Sequence, residues 1–298
     1  MQRSKAWCVL ICLISIIFLF IYSLSTAEDV STIRVFYADS CITDADNWQY
    51  SYIVGNEKGY AASPDIQQWI KDIDPAAIRQ VSISSDHFLV LLDDNSVLAY
   101  GNNDDGQCNT QDWKCTSICS DIMCSYGIST DGTILYCGME DDNGVKDWND
   151  IVQLSVDYSV VGRNHDGVAF FSNNLSITPP KDVREIITNG LKIAWLDTQG
   201  RVFVEGIDRP NSKELEWTNV NELAFACTNF LCGLDTKGKL LLYGFPNKEV
   251  VQEKLKDVEI EHIFRNGLID KNGDIYLFDL VYTPCLIDKL SVTVQGRR

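Results

Sequence analysis

Apolar residues along this chain come in short runs, and most of the runs are paired around a turn. Each pair is separated by Asp-Gly, Asn-Gly or a closely related dipeptide, and the flanks are Leu, β-branched or aromatic residues. Gly and Asn adopt the positive φ that a tight hairpin turn needs, so each pair predicts a β-hairpin. Residues 127–138 (GISTDGTILYCG) show the unit most clearly.

The hairpin recurs seven times, at intervals of 36, 37, 35, 33, 38 and 35 residues. A period of this length is typical of a solenoid, a propeller or another repeat array, because one hairpin cannot bury its own apolar face. The predicted turn residues are Gly59, Asn95, Gly132, Gly167, Gly200, Gly238 and Gly273.

After each hairpin, a polar loop leads to a third apolar stretch, so a repeat of about 36 residues holds three strands of ordinary length. We therefore predict an all-β fold, a seven-bladed β-propeller of short, mostly three-stranded blades, since closing a ring removes exposed sheet edges. The expected propeller domain covers residues 30–298, with residues 290–294 pairing with 33–37 to close it. In four copies the loop leads to a tryptophan: Trp69, Trp113, Trp148 and Trp217.

One stretch carries a family resemblance. Residues 101–113 (GNNDDGQCNTQDW), between a hairpin and the next apolar strand, resemble the short bacterial form of the regulator-of-chromosome-condensation repeat. The likeness is good over residues 80–170 and partial over 185–278, and Gly106-Gln107 is the single Gly-Gln of the pattern. The seven-unit, three-strand form is also similar to the propeller of a secreted bacterial β-lactamase inhibitor protein. The resemblance implies a propeller and names no function.

The N-terminus predicts export. Arg3 and Lys5 precede an uncharged apolar stretch of 19 residues, 6–24, which is close to the length that spans a bilayer. Residues 25–27 (STA) also offer a small-residue cleavage site. Residues 1–27 are therefore either one hydrophobic transmembrane helix or a cleaved signal peptide. The basic residues before the stretch place the propeller outside in both cases, on the cell membrane or secreted.

Eleven cysteines leave the redox state open. Most lie in or beside apolar strands, as small buried hydrophobes do in a reducing setting. One or two disulfides among residues 108–137 are the alternative that an exported protein favours. A zinc site at Cys115, Cys119 and Cys124 is disfavoured, because a strand points these side chains to alternating faces and no histidine is near.

The sequence shows no catalytic motif, and we expect neither an enzyme nor a cofactor. Of the three histidines, His87 and His165 lie at a strand start and before a hairpin turn, which favours structural or surface roles; His262 carries no signal of its own. Two calcium-loop-like spacings, around Asp105 and Asp141, lack the first acidic ligand and the final Glu, so no metal is expected.

The net charge of −17 excludes nucleic acid and anionic membrane surfaces as expected partners. Asp104 and Asp105 occupy the same place in their repeat as Glu140, Asp141 and Asp142 in the next, just after the second hairpin strand. Equivalent loops of a propeller share a face, so this face is predicted to be acidic. It either only keeps the protein soluble or docks a basic partner.

Two functions follow as expectations. The first is a monomeric, non-catalytic protein-interaction module displayed outside the cytoplasm, with an unidentified protein partner. The alternative is an extracytoplasmic propeller hydrolase or lyase acting on a glycan or peptide. An enzyme needs a deep central funnel of His, Arg and carboxylates, whereas a binding module needs a broad face with exposed aromatic residues.

Overall fold

The structure is a computed structural model, and it describes 34–37, 52–55, 69, 72–74, 77–84, 87–121, 123–139, 144–172, 180–207, 211–226, 230–265, 267–272, 275–278 and 286–290. The predicted leader at 1–27 lies outside these residues. So do the turns at Gly59 and Gly273 and the acidic residues Glu140, Asp141 and Asp142.

The chain is all-β in this part, as the hairpin pattern predicts, and its sheets are small and antiparallel. Seven sheets are described, one of two strands, four of three and two of four. The strands are β1 Arg34–Tyr37 and β2 Tyr52–Gly55; β3 Ile78–Ile83, β4 His87–Leu92 and β5 Val97–Gly101; β6 Cys115–Ser120, β7 Cys124–Ser129 and β8 Ile134–Gly138; β9 Ile151–Asp157, β10 Ser159–Asn164 and β11 Ala169–Phe171; β12 Val183–Thr188, β13 Lys192–Asp197, β14 Val202–Gly206 and β15 Lys213–Leu215; β16 Val220–Ala226, β17 Phe230–Asp235 and β18 Leu240–Tyr243; β19 Ile260–Phe264, β20 Gly267–Asp270, β21 Ile275–Phe278 and β22 Leu286–Leu290.

Two sheets have more strands than the expected three. Strands β15 and β22 each add a fourth, outer strand, pairing with β14 and β21. Strand β1 pairs with β2, and residues 291–294 of the predicted closing strand lie outside the described part. A helix, α1 Lys248–Lys254, follows the sheet of β16 to β18. No described helix has the length and apolar composition needed to cross a membrane.

The turns joining the second and third strands share one geometry. Gly132 N donates to Ser129 O at 3.1 Å, and Ser129 N donates to Thr133 O at 2.9 Å, which is a three-residue hairpin loop ending in a residue of positive φ. The positive φ falls only on the last residue of the loop. It is 66° at Asn95, 82° at Gly132, 72° at Gly167, 79° at Gly200 and 77° at Gly238.

Three of the four loop tryptophans pack on glycines of the next sheet. A Cβ placed on Gly127 would lie 3.1 Å from Trp113, on Gly162 3.2 Å from Trp148, and on Gly233 2.8 Å from Trp217. Each glycine lies in the middle strand of its sheet. The missing side chain therefore makes room for an indole ring between the connecting loop and the sheet.

Adjacent sheets are joined through their first strands. Gln80 Nε2 donates to Ile118 O at 2.9 Å, and Ile118 N donates back to Gln80 Oε1 at 3.0 Å. The same exchange joins Gln153 and Ile186. We call the side chains that bind the next first strand in this way the first-strand ladder: Gln80, Gln153, Glu185 with Leu223 N, and Glu222 with Ile263 N.

The stack of sheets bends around a common axis. Arg265 Nη2, just after β19, lies 2.5 Å from Asp157 Oδ2 at the end of β9, although the two residues are 108 positions apart. These side chains belong to the third and sixth of the sheets that start at β3. First strands that meet across this distance in the chain must face the same axis, as the first strands of a propeller do.

Antiparallel order gives the stack two faces. We call the first-turn face the end that carries the turns between first and second strands, described at Ser84, Asp121, Met123, Tyr158, 189–191 and Arg265, together with the loops that leave the third strands, at 102–109 and Met139. The positive-φ turns at Asn95, Gly132, Gly167, Gly200 and Gly238 lie on the opposite face.

Candidate protein-interaction face

Large apolar side chains are exposed mainly on the first-turn face. The described residues include six such side chains, and four of them lie here: Met123 (45% exposed), Met139 (47%), Tyr158 (62%) and Leu191 (50%). The other two, Leu98 and Val250, lie in β5 and in α1. The four residues come from three consecutive sheets, and we call them the apolar strip.

The members of the strip are neighbours in space. Met139 N donates to Met123 O at 3.3 Å. The backbone of Tyr158 reaches the turn of the preceding sheet, because Tyr158 N donates to Asp121 Oδ2 at 3.1 Å. On the other side, a Cβ on Gly190 would lie 3.1 Å from Tyr158 Cδ2, so the tyrosine ring packs over the turn that carries Leu191.

Tyr158 is held in a conformation that points it outward. Its φ is 54°, in the left-handed region that a non-glycine residue adopts at a cost of about 1 kcal/mol or more. The hydrogen bond from Tyr158 N to Asp121 holds it on one side. The ion pair between Asp157 and Arg265 fixes its neighbour on the other.

The loop with Asp104 and Asp105 lies on the same face, and we call residues 102–108 the acidic loop. Asn102 Oδ1 accepts Asp104 N at 2.7 Å, and Asn103 Oδ1 accepts Cys108 N at 2.7 Å. Both aspartates are exposed. The side-chain hydrogen bonds of Asn102 and Asn103 thus set the backbone of the loop while leaving the two carboxylates in solvent.

A cavity of about 230 Å³ lies between the acidic loop and the apolar strip. Its lining includes Asp105, Asn109, Cys137, Met139 and Lys146. The Lys146 ammonium lies 4.9 Å from the centroid of the Tyr136 ring, over its face. The cavity therefore combines one carboxylate, one amide, one ammonium and an apolar rim.

The histidines do not converge. His165 is exposed and pairs with Asp150 at 2.7 Å on the opposite face. His262 Nδ1 lies 2.8 Å from Glu222 Oε1, within the first-strand ladder. The hydrogen bond to Glu222 raises the pKa of His262, and burial opposes this only in part.

His87 is fully buried and lies beside two serines. Ser125 Oγ donates to Gln107 O at 2.6 Å and lies 2.8 Å from His87 Nε2. On the other side of the ring, Ser84 Oγ lies 2.9 Å from His87 Nδ1 and donates to His87 O at 2.9 Å. The hydroxyl proton of Ser125 is therefore used by a backbone carbonyl, whereas a nucleophilic serine donates it to its histidine base. His87 and Ser125 thus join the sheet of β3 to β5 to the sheet of β6 to β8, and their burial closes them to a substrate.

The cysteines show both redox states. Cys119 is disulfide-bonded, and its partner lies outside the described residues, because Cys108, Cys115, Cys124, Cys137 and Cys232 are free thiols. Among the described cysteines, the expected disulfides within 108–137 are therefore not formed. Burial raises the pKa of Cys137 to about 11 and that of Cys115 to about 12.

No cluster of three metal-ligating side chains occurs among the described residues. At the first calcium-like spacing, Asn103 Oδ1 is used by the backbone of Cys108.

Known proteins resemble this chain in its repeat and in its fold. A model of the regulator of chromosome condensation (RCC1) repeat matches residues 78–107. The structure is similar to that of Prp20p from Saccharomyces cerevisiae, with a TM-score of 0.56 and 12% identity, covering 84% of this chain and 81% of that chain. The chain therefore has a propeller fold like that of Prp20p, and one of its repeats matches the RCC1 family model.

Two further structures share the propeller fold. Yeast RCC1 (Prp20) bound to Kap60 matches with a TM-score of 0.55 and 11% identity, over 89% of each chain. The ectodomain of the receptor kinase CR4 from Physcomitrella patens matches with a TM-score of 0.50 and 12% identity, over 64% of this chain and 60% of that chain. A search of curated proteins finds no match. The likeness of this RCC1-like propeller to the β-lactamase inhibitor protein stays a prediction.

The sequence analysis missed the apolar strip of this RCC1-like propeller. Its residues are single apolar positions in otherwise polar turns, with no periodicity to mark them. The first-strand ladder had a usable signal, since Gln80, Gln153, Glu185 and Glu222 are polar residues inside apolar strands at nearly the repeat spacing.

Proposed function

We propose that this protein is a non-catalytic, extracytoplasmic protein-interaction module built on a seven-bladed propeller, and that its first-turn face binds a basic partner protein. The observation that carries the proposal is the apolar strip. Contiguous exposed apolar side chains on a soluble domain mark interaction sites, whereas single scattered ones do not. Tyrosine and methionine are also enriched in protein interfaces.

Charge supports a basic partner. Asp104 and Asp105 lie on the acidic loop of the same face, Asp121 lies beside Tyr158 of the strip, and the net charge of the chain is −17. Carboxylates next to an apolar patch speed the encounter with a cationic surface and disfavour anionic ones. Nucleic acid and anionic membrane are therefore poor partners for this face.

Two observations support a location outside the cytoplasm. The leader at residues 1–27 has the composition of a signal or an anchor. The disulfide at Cys119 fits an oxidising compartment, since disulfides are rare in the cytosol. The CR4 receptor kinase is a precedent for an ectodomain with this fold. Prp20p is a precedent for a propeller with binding properties to proteins, Gsp1p and histones.

The histidine geometry supports a non-catalytic role. Ser125 donates to the backbone carbonyl of Gln107 where a nucleophilic serine would donate to its base, and the side chains of His87 and Ser125 are fully buried. His165 and His262 each pair with a different carboxylate. A glycan or peptide hydrolase would need such groups around one open site.

The test is affinity capture of partners by the tagged full chain from cells that produce it. The triple variant Met123→Ser/Tyr158→Ser/Leu191→Ser should lose the specific partner. The control, Leu98→Ser/Val250→Ser, removes two exposed apolar side chains away from the face and should retain the partner. Equal capture by the strip variant and the wild type, with both folded, would refute the proposed face.

A further inference from the structure

Two free thiols flank the acidic loop. Cys108 ends the loop, and its Sγ donates to Asn102 O at 3.2 Å. Cys137, in β8, donates through its Sγ to Gln107 O at 3.3 Å. This carbonyl belongs to the peptide bond that leads into Cys108, so the sulfur of Cys137 lies against the backbone of Cys108.

Among the described free cysteines, these two thiols are the accessible ones. Cys108 and Cys137 are partly exposed, whereas Cys115, Cys124 and Cys232 are buried. Cys137 lines the cavity between the acidic loop and the strip, which gives a small solute a route to it. The thiol of Cys108 is close enough to that of Cys137 for their charges to interact, which adds to the raised pKa of Cys137.

We propose that Cys108 and Cys137 are a dithiol site that low-molecular-weight disulfides, such as glutathione disulfide, convert reversibly to a disulfide. The Cys108 thiolate attacks one sulfur of glutathione disulfide, the S–S bond breaks, and one glutathione thiolate leaves. The Cys137 thiolate then attacks the Cys108 sulfur of the mixed disulfide and expels the second glutathione. Both departing thiolates take up the protons lost by the cysteines. Two protein thiols are oxidised, and one glutathione disulfide is reduced to two glutathione molecules.

The local environment sets the rate. Burial raises the pKa of both thiols, to about 11 for Cys137. Only the thiolate reacts, so the exchange is slow at neutral pH and accelerates about tenfold per pH unit below the pKa.

Oxidation would tie the acidic loop to β8. The loop carries Asp104 and Asp105, so the disulfide would fix the carboxylates of the interaction face relative to Met139, just beyond Gly138. This consequence for partner binding rests on the proposed function, whereas the thiol chemistry does not.

The experiment treats the full chain with glutathione disulfide at pH 8 and follows it by intact mass and peptide mapping. The expected product has lost two hydrogens, carries a Cys108–Cys137 cross-link and reverts with dithiothreitol. Cys137→Ser should instead retain one glutathionyl group on Cys108. Cys124→Ser should still form the cross-link, and Cys115 and Cys232 should stay unmodified.

A persistent mixed disulfide on wild-type Cys108, a cross-link through Cys124, or no reaction while denatured protein reacts would each overturn the site. Partner capture by the reduced and oxidised forms is measured separately. A cross-link without any change in capture would show that the disulfide does not affect partner binding. The interaction face itself is tested separately by the variants of the apolar strip.

Discussion

At the scale of single residues, two glycines in equivalent turns differ in the space around them. Gly132 and Gly200 have nearly the same φ, 82° and 79°. A Cβ on Gly132 would lie 3.1 Å from Asp150 Cα, whereas a Cβ on Gly200 would lie 3.5 Å from its nearest atom, in Asn219. The first contact is tighter than ordinary packing between backbone atoms, and the second is ordinary.

We therefore expect Gly132→Ala to lower the free energy of unfolding by about 2–3 kcal/mol and Gly200→Ala by about 1 kcal/mol. The shared cost is the left-handed backbone, and the difference is the collision with Asp150. Urea denaturation of the two variants beside the wild type measures both values. Equal losses would show that the turn at Gly132 does not rest on the next sheet as described.

A second residue-scale prediction concerns pH. The pKa of His262 is raised by Glu222, so the charged histidine stabilises the folded state. A raised folded pKa gives stability that is full below the ordinary value near 6.5 and is lost as pH rises through the folded pKa.

Wild-type stability should accordingly fall from slightly acidic to slightly alkaline pH, and His262→Gln should remove this dependence. The lowered pKa values of Asp94 and Asp131 act only in the acidic range, outside this window. Melting temperatures across the window measure the effect, and parallel curves for the two proteins would contradict it.

At the scale of elements, the contact between a loop tryptophan and a strand glycine fixes the position of the connecting loop on its sheet. A Cβ on Gly233 would lie 2.8 Å from Trp217 Cζ3, so the indole would have to move. We expect Gly233→Ala to destabilise the protein by about 1–3 kcal/mol through overpacking. Trp217→Leu in the same background should recover part of the loss, as chemical denaturation of the single and double variants would show. Purely additive losses would mean that the two residues are not in contact.

The elements also show what the sequence could and could not predict. The hairpins were predictable because a turn glycine and the apolar residues that flank it act locally, as at Gly132 and Gly238. The fourth strands β15 and β22 were not predictable. Residues such as Lys213 and Glu214 are polar and form a strand only because they pair with the neighbouring strand β14. Tyr158 was missed for a similar reason, since its exposure depends on Asp121 and Gly190 in the turns of two other sheets. The acidic loop was predictable as a surface feature, but its nearness to the apolar strip was not.

At the scale of the whole molecule, the ion pair of Asp157 and Arg265 joins sheets that are far apart in the chain. Asp157→Asn and Arg265→Gln should each destabilise the protein, and the double variant should lose less than the sum. The interaction energy should be about 1 kcal/mol, because both side chains are largely shielded from solvent. Thermal unfolding of the four proteins of the cycle measures this coupling. A coupling energy of zero would mean that the two side chains do not interact in solution.

Charge acts on the whole interaction face. Asp104→Asn/Asp105→Asn should slow association with a basic partner and make the association rate less sensitive to salt, because steering by exposed carboxylates is screened. The control Asp93→Asn/Asp166→Asn makes the same change in net charge on the opposite face and should have a smaller effect. Stopped-flow or surface-binding rates at several salt concentrations compare the two. Equal effects would mean that only the net charge matters.

The first-strand ladder makes individual amides report on individual junctions. The amide protons of Ile118, Ile186, Leu223 and Ile263 are each bound by a side chain of the preceding sheet. Such a proton exchanges with solvent deuterium only when the two sheets separate, even if each sheet stays intact. Four exchange rates in one experiment would therefore give the opening free energies of four of the five junctions between the six sheets that start at β3, and would show which of these four opens first.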